Sequence, residues 1–133
     1  MANLNYYALQ QAIYSKLSAS TALMALINGV FDGIVQAIDF PYITIGDASA
    51  SDSASLGASG ADYRLNIHIW SREAGHKQTA DIIDVLYALL HNGSLSVSGK
   101  TLVAMQVVSS EIRLENDGIT QHGLLRLQIV LHG

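Results

Sequence analysis

The chain has 133 residues, half of them hydrophobic and 14% charged, with a formal net charge of −4. This length suits one domain with a substantial core, and the absence of cysteine excludes a disulfide framework and thiol chemistry. The few basic residues are scattered, which argues against nucleic-acid binding, and no signal peptide or apolar run of roughly 18 residues indicates export or a membrane span.

The first part of the chain predicts two helices. Asn3 or Asn5 can cap a first helix that ends near Leu17 or Ser18, because its apolar residues recur at helical spacing. A short helical turn is predicted from Thr21 to Ile27.

Two strands and a long loop are predicted next. Val30 and Phe31 fit a short strand, and residues 42–46 fit a second strand that begins after Pro41, which has no backbone donor. Residues 47–61 are almost all Ser, Ala and Gly. Such a segment buries too little apolar surface to offset an ordering entropy of about 1–2 kcal/mol per residue, so we predict a mobile loop.

The most informative stretch is a strand followed by a helix. Residues 62–70 alternate polar and apolar without a break, which indicates one buried face and one open face. A helix from about His76 to His91 carries its apolar residues on one stripe, and Asn92 and Gly93 end it. The inward residues of the strand are predicted to be Tyr63, Leu65, Ile67 and Ile69.

The last part of the chain predicts a meander of strands. Residues 94–98 alternate again, and residues 101–115 are strand-like over a length that requires a bulge near Ser109 and Ser110. Beyond the bulge Ile112 and Leu114 are predicted to face inward. An Asn-Asp-Gly turn then leads to a last strand over residues 122–132.

Together these elements predict one α+β domain spanning residues 1–133. Its sheet is mostly antiparallel, with about four to five strands, and two main helices pack on one face. The other face presents polar side chains of both charge signs. It is either solvated or a candidate assembly interface in which mixed charges set the register between copies. The residues of this predicted face are Asp62, Arg64, Asn66, His68, Arg113, Arg126 and Gln128.

The search for chemistry is negative. No nucleophile, phosphate-binding or metalloprotease motif occurs, and no two histidines have ligand spacing with a nearby carboxylate, so surface histidines are expected. Asp81 and Asp84 fit the solvated face of a helix better than an acid–base pair. Trp70 fits a core or interface position better than a ligand-stacking one. We therefore expect no catalytic residue, no cofactor and no metal.

Several segments, taken in order, resemble a known family. The chain is similar to the tail completion, or tail terminator, proteins of long-tailed phages, prophages and gene transfer agents. The resemblance covers nearly the whole chain. It is carried by Leu9–Leu17, Thr21–Ile27, Phe-Pro-Tyr-Ile-Thr-Ile-Gly at 40–46, Ile-Trp-Ser-Arg at 69–72, Leu-Leu-His at 89–91 and Glu-Asn-Asp-Gly at 115–118.

The resemblance implies a virion structural protein with no catalytic residues. Such proteins form a ring, typically hexameric, that caps the tail tube, ends its polymerisation and joins the tail to the head. The implied partners are further copies of the chain, the tail tube protein and a head-completion or connector protein. DNA would pass through the ring without sequence-specific binding, and assembly would take place in the host cytoplasm, away from membranes.

The resemblance also implies a role for the loop at residues 47–61, which would become ordered on assembly. Two other classes stay open at this point: a small α+β ligand-binding module, and an oligomeric adaptor without a virion role. The loop residues expected to become ordered are Asp47, Ser51, Asp52, Ser55, Leu56 and Ser59.

Overall fold

The computed structural model describes residues 5–32, 39–52 and 60–133. They form a five-stranded sheet with helices packed on one face, which confirms the predicted α+β class. The helices are α1 (Tyr6–Ser18), α2 (Thr21–Met24) and α3 (Lys77–Leu90). The strands are β1 (Val30–Asp32), β2 (Tyr42–Asp52), β3 (Gly60–Ser71), β4 (Thr101–Leu114) and β5 (Gln121–His132).

The sheet has the order β1-β2-β3-β5-β4. Strand β1 is parallel to β2, and every other neighbouring pair is antiparallel. Helix α3 connects β3 to the edge strand β4, and the hairpin that follows returns β5 to a place between them. As a result β3 and β5 lie at the centre of the sheet, paired from Gly60 with His132 to Ser71 with Gln121.

The core lies between the helices and one face of the sheet. The predicted inward residues of β3 are all buried, and α3 meets them with Ile82, Leu86 and Leu90, which are fully buried. Each such side chain contributes about 1.5–3 kcal/mol relative to an exposed position. Other members of this core are Leu9, Ile13, Leu17, Ile43, Ile45, Leu125, Leu127, Ile129 and Leu131.

The helix starts agree with the predicted positions, but the capping differs. Ser20 caps α2, because its hydroxyl oxygen accepts a hydrogen bond from the Leu23 N–H at 3.2 Å. Asn5 precedes α1 with a φ of 54°, and its side chain makes no capping hydrogen bond. The left-handed backbone at Asn5 therefore turns the chain into the helix without a side-chain cap.

Residues 47–52 and 60–61 of the predicted loop are strand, which is a correction. Asp47, Ser51 and Asp52 lie on β2, which continues past a bulge between Ile45 and Ala48. Pairing with β3 satisfies the backbone groups of alternate residues there, so composition alone overstated the cost of ordering. The remaining loop residues of the prediction, Ser55, Leu56 and Ser59, lie outside the described residues.

Strand β4 contains the predicted irregularity. Its pairing with β5 shifts by one residue between Val107 and Ser109, and again between Leu102 and Ala104. The register places Ile112 and Leu114 on the helix side, as predicted, because they lie opposite Gly123 and Gln121, but the Leu114 side chain is 53% exposed. Residues 94–98 form no strand, although Val97 among them is buried.

Candidate assembly surface

The face of the sheet opposite the helices, here called the open face, holds all seven predicted interface residues. Asp62, Arg64, Asn66 and His68 alternate with the buried residues of β3, and the register sets Arg64 opposite Gln128 and Asn66 opposite Arg126. Arg113 of β4 lies opposite His122 of β5. Partners across neighbouring strands share a face, so three strands present these side chains together.

Polar side chains on the open face are paired with one another. The Gln128 amide donates to an Asp62 carboxylate oxygen at 2.9 Å, and the other oxygen lies 3.5 Å from Arg64 Nε. Arg126 donates to Glu111 at 2.8 Å, and this hydrogen bond lowers the pKa of Glu111. Exposed pairs of this kind contribute little to stability, so they mainly orient the side chains.

Two histidines form an unusual pair at one end of the open face. Nδ1 of His68 lies 2.7 Å from Nε2 of His122, and the Trp70 ring stacks on His122 with centroids 4.1 Å apart. The indole N–H of Trp70 donates to the Thr44 hydroxyl at 3.0 Å. Burial is the largest cause that lowers the pKa of both histidines, and His122 is only 5% exposed.

The surroundings of the pair indicate which nitrogen carries each proton. A carboxylate oxygen of Glu115 lies 3.2 Å from Nδ1 of His122, at ion-pair distance but outside hydrogen-bond geometry. The carboxylate favours a proton on that nitrogen, so Nε2 accepts and Nδ1 of His68 donates. The sequence-based expectation of surface histidines is therefore wrong for His122. The sequence shows one histidine on each of two strands, but it does not predict their contact, because the register between β3 and β5 is needed for that.

An arginine and an aromatic ring close the same end of the open face. The Arg72 guanidinium lies 4.4 Å from the centroid of the Phe40 ring, and its Nε donates to the Thr120 hydroxyl at 3.2 Å. Asp117 accepts hydrogen bonds from that hydroxyl and from the backbone N–H groups of Ile119 and Thr120. These bonds lower the pKa of Asp117 to about 2.

The arginines and lysines of the chain are segregated. Arg64, Arg113 and Arg126 lie on the open face and Arg72 at its end, each roughly half exposed. Lys16, Lys77 and Lys100 all lie off the strands, on helices or in a turn. Arginine and aromatic side chains are enriched where proteins contact each other, since both bind at low entropic cost.

Other parts of the described structure offer little chemistry. Among residues 5–32, 39–52 and 60–133, no three His, Asp or Glu side chains are placed to hold a metal ion. Asp81 pairs with Lys77 at 2.7 Å on the exposed side of α3, as a solvated helix face predicts. A depression of about 460 Å³ is lined by Ala12, Ser15, Lys16, Ser94, Leu95 and Ser96.

None of the described helices is both long and apolar enough to cross a membrane.

The main polar feature of this α+β domain is a sheet face that carries arginines paired with carboxylates. Such a face is typical of a structural module that binds other proteins. Comparison with known proteins identifies a family. Residues 11–132 match the family described as tail completion protein gp17. The chain belongs to this family, as the sequence resemblance predicted.

Individual relatives agree with the family assignment. Tail completion protein gp17 of Bacillus phage SPP1 is 26% identical over 125 residues, which cover 94% of this chain and 92% of that protein. The solved structure of the SPP1 protein matches with a TM-score of 0.68, covering 96% of this chain and 91% of that one. A chain from the virion of a native gene transfer agent particle shares the fold, with a TM-score of 0.86, 23% identity and coverage of 99% and 100%.

Family membership decides the broad role. The protein is a structural component of a phage-type tail and is located in the virion, and its family is not one of enzymes. The ligand-binding module and the adaptor without a virion role are therefore set aside.

Proposed function

We propose that this protein forms a hexameric ring that caps the tail tube, ends its polymerisation and joins the tail to the head. Its partners are further copies of the chain, the tail tube protein and a head-completion or connector protein. In this proposal one domain spanning residues 1–133 forms each subunit of the ring. The observation that supports this proposal most directly is the open face, because seven predicted residues and all four arginines lie on it or at its end.

The charge pattern of the open face suits contact with proteins rather than with DNA. Its arginines already have carboxylate neighbours, as Arg64 has Asp62, Arg72 has Asp117 and Arg126 has Glu111. A surface neutralised in this way does not attract phosphate, and the net charge of −4 adds a weak repulsion. DNA would therefore pass through the ring without sequence-specific binding.

We propose that residues of the open face contact other proteins in the assembly, and mutagenesis can test this. The expectation that Ser55, Leu56 and Ser59 become ordered on assembly also stays a prediction, while Asp47, Ser51 and Asp52 already belong to β2.

The test is a measurement of mass by light scattering, for the protein alone and mixed with the tail tube protein of the same genome. We expect a hexamer, or a monomer that becomes hexameric on tubes and limits their length. The double variant Arg64→Ala/Arg126→Ala should assemble less well. The matched control Lys77→Ala/Asp81→Ala removes an exposed pair from the helix side and should assemble normally. A wild-type chain that stays monomeric and leaves tube length unchanged would refute the proposal.

A further inference from the structure

The two edges of the sheet each have one half that is covered and one half that is open. An open strand edge presents unpaired N–H and C=O groups, and natural proteins usually cover or blunt such edges. In this sheet the edge strands are β4 on one side and β1 on the other. Strand β1 pairs only with Ile43, Thr44 and Ile45, so among the described residues the second half of β2 also forms an edge.

The first half of β4 is covered by the end of α3. The Asn92 N–H donates to the Met105 carbonyl at 2.8 Å, and the His91 Nδ1 accepts from the Val107 N–H at 3.1 Å. The pairing shift after Val107 then turns the backbone groups of Ser110, Ile112 and Leu114 away from β5. Within the described residues, these outward backbone N–H and C=O groups of Ser110, Ile112 and Leu114 have no hydrogen-bond partner.

The second half of β2 is open in the same way. Strand β1 pairs only as far as Ile45, where the bulge reverses the alternation and turns the backbone groups of Ala48 and Ala50 away from β3. No backbone partner for residues 46–52 is present on that side among the residues that the structure describes. Within residues 5–32, 39–52 and 60–133, two half-edges of similar length on opposite sides of one sheet therefore have no backbone partner.

Strand direction makes these half-edges complementary between copies. Each neighbouring pair from β2 through β3 and β5 to β4 is antiparallel, so β4 runs opposite to β2. Two copies in the same orientation would therefore set β4 of one antiparallel to β2 of the next. This contact joins two different surfaces, so it repeats head to tail and closes into a ring when the rotation per copy allows it.

Charge selects one register for this contact. Backbone groups and side-chain faces both match when Ala48 lies opposite Ile112 of the neighbouring copy and Ala50 opposite Ser110. Asp47 then lies opposite Arg113, and opposite charges across strands are favourable. A slip of two residues would instead place Asp47 against Glu115, two like charges.

We propose that copies of this protein join by antiparallel pairing of residues 109–113 of β4 with residues 47–51 of β2 in the next copy. The inference rests on the proposed ring, and it names the surfaces that connect its subunits. The contact also explains a role for the turn after α3. His91 and Asn92 cover the first half of the β4 edge, so a neighbouring copy can pair only with the second half.

Cysteine cross-linking tests the register directly, because the natural chain has no cysteine. In the proposed contact Ser49 and Glu111 face each other as a non-hydrogen-bonded pair, close enough for a disulfide. Within one chain they lie on strands three steps apart, about 14 Å, so only two different copies can be linked. The matched control Ser51→Cys/Glu111→Cys tests the slipped register.

We expect Ser49→Cys/Glu111→Cys to give disulfide-linked multimers on oxidation under the conditions in which the ring forms, and the control to give at least about tenfold less. A ring of normal mass that cross-links equally in both variants, or in neither, would overturn the edge contact and leave the proposed ring intact. A chain that never assembles would overturn both.

Charge reversal gives a second, independent test. Asp47→Arg and Arg113→Asp should each raise the concentration needed for assembly by about tenfold, because each places like charges in the contact. Mixing the two variants should restore assembly, since copies that alternate around the ring join opposite charges at every contact. Failure of the mixture to recover, with both variants folded by circular dichroism, would count against the register.

Discussion

Replacement of Gly123 by alanine tests how tightly α3 is packed on the centre of the sheet. A Cβ added at Gly123 would lie 2.6 Å from Cγ2 of Thr79 and 3.2 Å from Cβ of Ile69. In an unhindered strand the same substitution stabilises by about 0.4–1 kcal/mol, because alanine restricts the unfolded chain. Here Thr79 is fully buried, so overpacking should win and Gly123→Ala should destabilise by about 1–3 kcal/mol.

The assay is urea unfolding followed by circular dichroism, together with thermal melting. For a domain of this size each kcal/mol corresponds to about 3–5 °C, so the melting temperature should fall by about 3–15 °C. Thr79→Ser removes the methyl group that is closest to the new Cβ, and alone it should cost about 1 kcal/mol as a buried methyl is lost.

The double variant Gly123→Ala/Thr79→Ser should be more stable than the sum of the single effects predicts, by at least about 0.5 kcal/mol. Recovery should be partial, because Cβ of Ile69 is part of a neighbouring strand and cannot move away. A Gly123→Ala protein as stable as the natural one, or single effects that simply add, would refute the packing argument.

Two further predictions concern the core and the histidine pair. Leu86→Ala should lower the free energy of unfolding by about 2–5 kcal/mol in urea titrations, whereas Tyr87→Ala, at a neighbouring exposed position, should have a much smaller effect; similar losses would contradict the assignment of the helix faces. The pKa values of His68 and His122 lie below the ordinary 6.5 in the folded protein, so the unfolded chain binds protons first on acidification. Stability should therefore be full above about pH 7 and fall as the pH drops below 6.5. The variant His122→Gln should flatten this dependence between pH 7 and 5. An unchanged slope in that variant would show that the histidine pair does not cause the pH dependence.

Periodicity predicted the parts of the fold whose residues carry large side chains. The alternation over residues 62–70 identified β3 and its buried face, and the stripe of α3 identified the helix layer. The same reasoning identified residues 42–46 of β2 but failed for its second half, because Ala48 and Ala50 bury little surface of their own. Their order comes from pairing with β3, and a long-range pairing leaves no local signature.

The open face was predicted as a set of residues but not as an arrangement. Alternation shows that His68 faces outward, yet its 2.7 Å contact with His122 depends on the order β3-β5 in the sheet. That order follows from the crossover through α3, which brings together residues 54 positions apart. Composition did not predict the separation of arginine from lysine. That separation becomes visible only when the facing of each strand residue is known.

This segregation has a practical consequence for anyone who tethers the protein. Reagents that modify lysine side chains address only Lys16, Lys77 and Lys100, all of which lie off the strands. A biosensor chip or a fluorescent label coupled to these amines would leave the guanidinium groups of the open face unmodified. The lysine amines therefore allow attachment that leaves the arginine side chains of the open face chemically intact.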